Sequence, residues 1–332
     1  MKEYTTVTTD GLSGFITGLL ENTESEAFSA DAIIRAYKSA DGDAELSDCE
    51  KRYFSLMLEK RLPLLEETLN PHIFEEPDKR LLRYFYCPSG AVVPQIYKNG
   101  LAEKEDALYR KTTVAFSSLL KGKTYFEKLA VMDGAGCPTR LTRVTSNPLA
   151  ALYFACEEGD GSVSVFAVPE DEISYPESDR VLMLSCLPLL SASAKRELYE
   201  LADASLSAGR FQQLKGGSRY LEECAEELYR QVTNERPYFR REMVPADLLR
   251  PAFVQPGTDD ALSVRSGATY IISGLCKSEA EASRKLSSEV VLEIKVNDTE
   301  KTLSELYTLG VNGASLCPGT PTAAKYIKDN IR

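Results

Sequence analysis

Pro138-Thr139-Arg140-Leu141-Thr142-Arg143-Val144-Thr145-Ser146-Asn147-Pro148-Leu149-Ala150-Ala151-Leu152-Tyr153-Phe154-Ala155-Cys156 changes character once, at Asn147. Before it the chain is polar and threonine-rich, which reads as a strand end or a tight loop. Asn147 suits a helix N-cap, because its side-chain oxygen can accept a free amide of the first turn. Pro148 then stands at the first helical position, where its missing N–H costs nothing. Leu149, Leu152, Tyr153 and Cys156 follow at i, i+3, i+4, i+7, the apolar stripe of a buried helix. Gly159 is placed to end that helix in a left-handed conformation. A polar strand end delivered onto a helix start is a common way to build a ligand site, since the first-turn amides and the helix dipole favour an anion. On local features alone, a well-capped core helix with no ligand is the better explanation of the stretch.

Outward from this stretch, strands and helices alternate. Ser162 to Val168 reads as a strand ended by Pro169, and Arg83 to Cys87 as an aromatic strand ending in a turn at Pro88 to Gly90. Ala102 to Leu119 and Thr124 to Met132 carry helical patterns, the second broken at Asp133 to Gly136. Leu187 to about Leu249 is helical, with Leu198, Leu201 and Ala202 in one stripe and Leu221, Cys224, Ala225 and Leu228 in another. Strand patterns return at Leu262 and Val264, at Tyr270 to Ile272, and at Val290 to Val296, whose alternation marks one wet face. Asp298 or Thr299 caps a helix closed by Gly310, and Thr320-Pro321 opens the last one. The chain to Glu76 shows only helical stripes, among them Phe15, Ile16 and Leu19. The expected fold is therefore α+β, a split mixed β-sheet flanked by helices. The expected organisation is a helical N-terminal region over 1–76 and one α+β domain over 77–332, with a helical insertion at about 187–250.

Composition narrows the class. Of 332 residues, 43% are hydrophobic and 27% charged, an ordinary globular balance. The net charge of -11 repels nucleic acid and anionic membrane, so neither is expected as a partner. No apolar run approaches the ~18 to 20 residues needed to span a bilayer, and the N-terminus lacks the apolar core of a signal peptide. The eight cysteines are scattered with no C-x-x-C pair, and there is one histidine, His72. That pattern suits free thiols in a reducing cytoplasm rather than a disulfide framework or a metal site.

The stretch from Gly136 to Ala155 resembles the central motif of the FRG-domain family, roughly G-x-PTRLLDWT-x-NPLxALYFA. Glu235-Arg236-Pro237-Tyr238-Phe239, then Asp247 to Pro251, then Ser266-Gly267-Ala268 fit the same family. So does Leu306-Tyr307-Thr308-Leu309-Gly310-Val311 leading to Leu316-Cys317-Pro318-Gly319. The resemblance runs from about Leu82 to the C-terminus, specific in the centre and looser elsewhere. It implies an ADP-ribosyltransferase-like fold with an NAD-binding cleft. The departures are as specific as the match. The family's Phe-Arg-Gly stands here as Phe85-Tyr86-Cys87, its histidine before the central motif is absent, its Asp-Trp is Arg143-Val144, and its later glutamine is Arg265.

Glycosyl transfer from NAD needs a cation for the phosphates, a hydroxyl near the ribose and an orienting carboxylate or amide. Thr145 and Ser146 can supply the hydroxyl. Arg140 can grip phosphate oxygens bidentately or form an ion pair that pins the loop. Cys87 is a nucleophile only if its pKa is lowered, and otherwise a small buried residue. The sequence thus leads to a cleft that gathers Tyr86, Cys87, Arg140, Thr145, Ser146, Asn147 and Arg265, made locally positive by its two arginines. Its expected ligand is NAD or a related nucleotide, with no metal. Two functions follow: an ADP-ribosyltransferase or NAD-processing glycosyl transferase, and a non-catalytic binding or regulatory protein on the same scaffold, with a protein partner on its helical regions.

Overall fold

The computed structural model describes residues 5–23, 82–206, 218–241, 243–257, 268–317 and 321–330. Seven strands, β1 (Thr5–Thr9), β2 (Leu82–Cys87), β3 (Leu141–Thr145), β4 (Ser162–Pro169), β5 (Ala252–Val254), β6 (Ala268–Ile272) and β7 (Val290–Val296), form one sheet in the order β1-β7-β4-β2-β3-β6-β5. The β1–β7 pair is parallel and the other pairs are antiparallel, so the sheet is mixed. The main described helices are α1 (Leu12–Thr23), α2 (Glu105–Ala115), α3 (Ser117–Leu120), α4 (Tyr125–Gly134), α5 (Pro148–Glu158), α6 (Asp179–Cys186), α7 (Ala192–Ser205), α8 (Ser218–Glu235), α9 (Glu279–Ser287), α10 (Thr299–Thr308), α11 (Gly313–Leu316) and α12 (Pro321–Asn330). The α+β class expected from the alternating patterns is what the chain adopts.

The sheet is joined at its centre by very little. β2 pairs with β4 through six residue pairs and β3 with β6 through five, but β2 meets β3 only at Tyr86 opposite Thr145. It therefore consists of two halves, β1-β7-β4-β2 and β3-β6-β5, hinged at that pair. Because strand side chains alternate between faces, each half has a near and a far face. On the near face of the first half, Tyr86, Val163, Val165, Leu292, Ile294 and Val296 pack with Phe15 of α1, Leu152 and Tyr153 of α5 and Leu306 of α10. On the near face of the second half, Leu141, Ala252, Val254 and Ile272 pack under α4, α6, α7 and α8. On the far face, Phe253 of β5 reaches across the split. Its ring stacks on Phe85 at 5.7 Å and meets Phe166 edge-on at 5.4 Å. The segment after β4 helps hold this closure, since the Ser174 amide donates to Phe253 O and the Gln255 amide to Ser174 O.

Several expectations need revision. The N-terminal stretch is not wholly helical: β1 adds an edge strand to β7, and α1 packs on it, so residues 5–23 belong to the same sheet system as the C-terminal half. Its remaining helical patterns, up to Glu76, lie outside the described residues, as do Leu262, Val264 and Arg265. Within 187–250 the helices α7 and α8 are present, and their buried Leu198, Leu201, Ala202, Cys224, Ala225 and Leu228 are the expected stripes. Gly159 ends α5 without a left-handed turn, at φ -124. A side chain there is excluded by space, because a Cβ would stand 2.8 Å from Ala155 O. Among the described residues, no helix is long and apolar enough to cross a membrane.

Candidate functional site

The hinge pair and its neighbours form the polar centre of the sheet. In register, Tyr86 lies opposite Thr145 and Thr145 opposite Ala268, so one row crosses β2, β3 and β6. Thr145 is buried, and its Oγ1 accepts the Asn147 amide at 2.9 Å, turning the chain out of the strand. Asn147 Oδ1 then accepts the amides of Leu149 and Ala150 at 3.0 and 3.3 Å, the cap expected from the sequence. Ser146 between them is exposed. Tyr86 is buried on the near face, and burial, with Tyr84 adding to it, raises its phenol above the ordinary value. The phenol is therefore neutral at pH 7.

Of the expected residues that are described, Cys87 and Arg140 stand away from this row. Cys87 follows Tyr86 and so faces the far side, in a cluster with Phe85, Val144 and Phe166. Burial pushes its thiol up to about 12, which makes it an un-ionised core filler rather than a nucleophile. Arg140 precedes β3 and stands five residues from Thr145, roughly 17 Å along an extended strand at ~3.3 Å per residue. Its side chain is 1% exposed. Nε and Nη2 donate to the two carboxylate oxygens of Glu105 at 2.9 and 2.5 Å, and Nη1 donates to the carbonyls of Ser273 and Gly274. Lys195 Nζ donates to Glu105 as well, at 2.8 Å. Of the two readings of Arg140, the ion pair that pins the loop is the one realised. A guanidinium enclosed in this way has no face left for a phosphate.

The cation that does share the row's face is Arg143, two residues before Thr145 and opposite Tyr270 on β6. Its side chain is 52% exposed, and its Nε donates to Asp133 Oδ2 on α4 at 2.6 Å. Burial works against the charge on Arg143, but Asp133 and then Tyr270 hold its pKa above the ordinary value. Strand alternation in Leu141-Thr142-Arg143-Val144-Thr145 is the sequence signal that places Arg143 with Thr145. The partners of Arg140 also carried a signal. Glu105 lies on the stripe with Leu108, Tyr109 and Thr112, and Lys195 on the stripe with Leu198, Tyr199 and Ala202. A charge on an apolar stripe has to find a counter-charge.

A separate cavity of about 320 Å³ opens between the two halves at the far face, lined by Ala167 to Pro169, Glu172, Arg180, Arg250 to Phe253 and Glu289. None of the six expected residues that are described, Tyr86, Cys87, Arg140, Thr145, Ser146 and Asn147, lines it. Among the described residues, no group of histidine, cysteine, aspartate or glutamate is arranged to hold a metal ion. No family model, no curated protein and no solved structure matches this chain.

Proposed function

We propose that the chain is a diverged relative of the FRG-domain proteins with an ADP-ribosyltransferase-like split sheet, and that it binds an NAD-type nucleotide at the hinge without transferring its ADP-ribose. One observation carries the proposal. Two stretches that bear the resemblance, Phe85 to Pro88 and Arg140 to Asn147, lie on or beside the neighbouring strands β2 and β3, and β6, which begins at Ala268, continues the row Tyr86–Thr145–Ala268. Those strands lie far apart in sequence, and their meeting at a split is what an NAD cleft requires. The loss of transfer follows from the side chains. Tyr86 is neutral, Cys87 faces away as an un-ionised thiol, and Arg140 is consumed by Glu105. What remains for a ligand is the exposed Ser146 hydroxyl and the Arg143 guanidinium, enough to recognise a phosphate but not to drive chemistry.

The test is thermal unfolding of the whole chain with NAD, ADP-ribose or nicotinamide, beside an assay for nicotinamide release. A ligand that binds only the folded state stabilises it by ~2.7 kcal/mol at a hundredfold excess over Kd. NAD or ADP-ribose should raise the midpoint saturably, and Arg143→Ala should reduce that rise, with no nicotinamide released. Release by the wild type would restore the transferase reading. No shift with any of the three would remove the nucleotide and favour a protein partner instead. The exposed apolar residues Val114 and Leu119, at the end of α2 and on α3, support that second reading.

A further inference from the structure

The cavity at the far face is made by both halves of the sheet. Ala167, Val168 and Pro169 come from β4, while Pro251, Ala252 and Phe253 come from the start of β5. Part of its wall is apolar, and that part is fixed. Phe253 is wedged against Phe85 and Phe166, and Arg180 Nη2 donates to the Pro251 carbonyl at 2.9 Å. Arg83 Nη1 reaches Gln255 Oε1 at 3.0 Å and ties the first half to the second beside it. A fixed hollow at the mouth of a curved sheet is where small ligands commonly bind, and about 320 Å³ is at the small end of the ~300–1,000 Å³ range of such sites.

The rim has an unusual charge arrangement. Four charged residues line the cavity, Arg180 and Glu289 engaged with neighbours, and Arg250 and Glu172 exposed, with no ion pair joining these two and no hydrogen-bond partner for either among the described residues. Opposite charges on one small mouth gain by approaching each other unless the fold holds them apart. Both stand on anchored backbone, Pro251 O accepting from Arg180 and Glu170 O from the Ile173 amide, while their side chains are free to meet a ligand. A molecule with a negative and a positive end would satisfy both charges at once, and a side chain between those ends would meet the apolar wall. We infer that this cavity is a binding site for a small zwitterion of the amino-acid class with an apolar side chain. Its carboxylate lies at Arg250 and its ammonium at Glu172. Because the ligand touches both halves, it also braces the sheet across its split.

The site is independent of the nucleotide reading, and its test uses different probes. Titration calorimetry on the full chain would compare leucine and phenylalanine with N-acetylleucine, which lacks the ammonium, and leucinamide, which lacks the carboxylate. The free amino acids should bind at least about tenfold more tightly than either blocked form, the scale of one charge-assisted hydrogen bond. Arg250→Gln should remove the preference over leucinamide, and Glu172→Gln the preference over N-acetylleucine. Both side chains are exposed and without partners, so both variants keep the fold, which an unchanged melting midpoint without ligand checks. Absence of binding by leucine and phenylalanine at millimolar concentration would overturn the assignment. So would equal binding of free and blocked forms by the wild type, whatever NAD does at the hinge.

Discussion

Arg140 shows how one residue type can be read in two ways until its neighbours are known. Its bidentate grip on a carboxylate is the same geometry that would hold a phosphate, and the fold supplies Glu105 rather than leaving the fork free. The sequence could not choose, because Glu105 and Lys195 are brought to Arg140 only by the packing of α2 and α7 against the start of β3. The pair is a stability element with a defined sign. Burial alone would raise the Glu105 carboxyl, but Arg140 and Lys195 overcome it and hold the group below its ordinary value. A depressed carboxyl contributes stability that is present above its unfolded pKa, about 4.3, and is lost as pH falls through the lower folded value. Arg140→Ala should therefore cost about 3–5 kcal/mol at pH 7, the scale for breaking a buried pair. The loss of stability between pH 5 and strongly acid solution should also be shallower in the variant. Urea unfolding across that range measures both. A loss under 1 kcal/mol at pH 7 would mean that the pair is not formed in solution.

Among the elements, those with strong local signals were legible and those without were not. β4 and β7 announce themselves by β-branched alternation, β2 by its run of aromatics, and α5 by its cap and proline. β1 is four threonines around one valine, and β5 is three residues long. Neither carries enough period to be read, and both exist because a neighbouring strand offers an edge. α5 ends at Gly159 as its sequence leads one to expect, but close approach to Ala155 O, not a left-handed turn, is what requires glycine there. Its beginning is the more testable end. Asn147→Ala removes the acceptor of two first-turn amides and should cost about 1 kcal/mol. Asn147→Asp, which keeps an acceptor and adds a charge favoured by the dipole, should hold the wild-type midpoint. Thermal denaturation of the three proteins decides whether the cap or the amide itself matters.

At the scale of the molecule, β2 and β3 do lie side by side in the sheet, but what their side chains engage is not legible in the sequence. Order along the chain and the ends of strands are local properties, whereas the engagement of Arg140, Cys87 and Tyr86 depends on tertiary partners. The same distinction explains the N-terminal segment. α1 is a helix, and of its expected stripe Phe15 and Leu19 are buried while Ile16 is exposed; Phe15, with no exposed surface, packs into the cluster that contains β7 and α10. Phe15→Ala should therefore lower the stability of the whole structure by about 3–5 kcal/mol. The change should appear in the same single transition by far-UV circular dichroism and tyrosine fluorescence, and two separated transitions would instead mark the N-terminal segment as its own unit. The pairing of Thr5 with Leu292 has a last consequence, in time rather than energy. On a ribosome adding ~5–20 residues per second, the 287 residues from Thr6 to Leu292 take about 15–60 s to appear. Throughout that interval β1 is made but has no strand to lie against. A newborn chain must keep its first threonines idle, or guarded by a chaperone, until nearly its last strand has emerged.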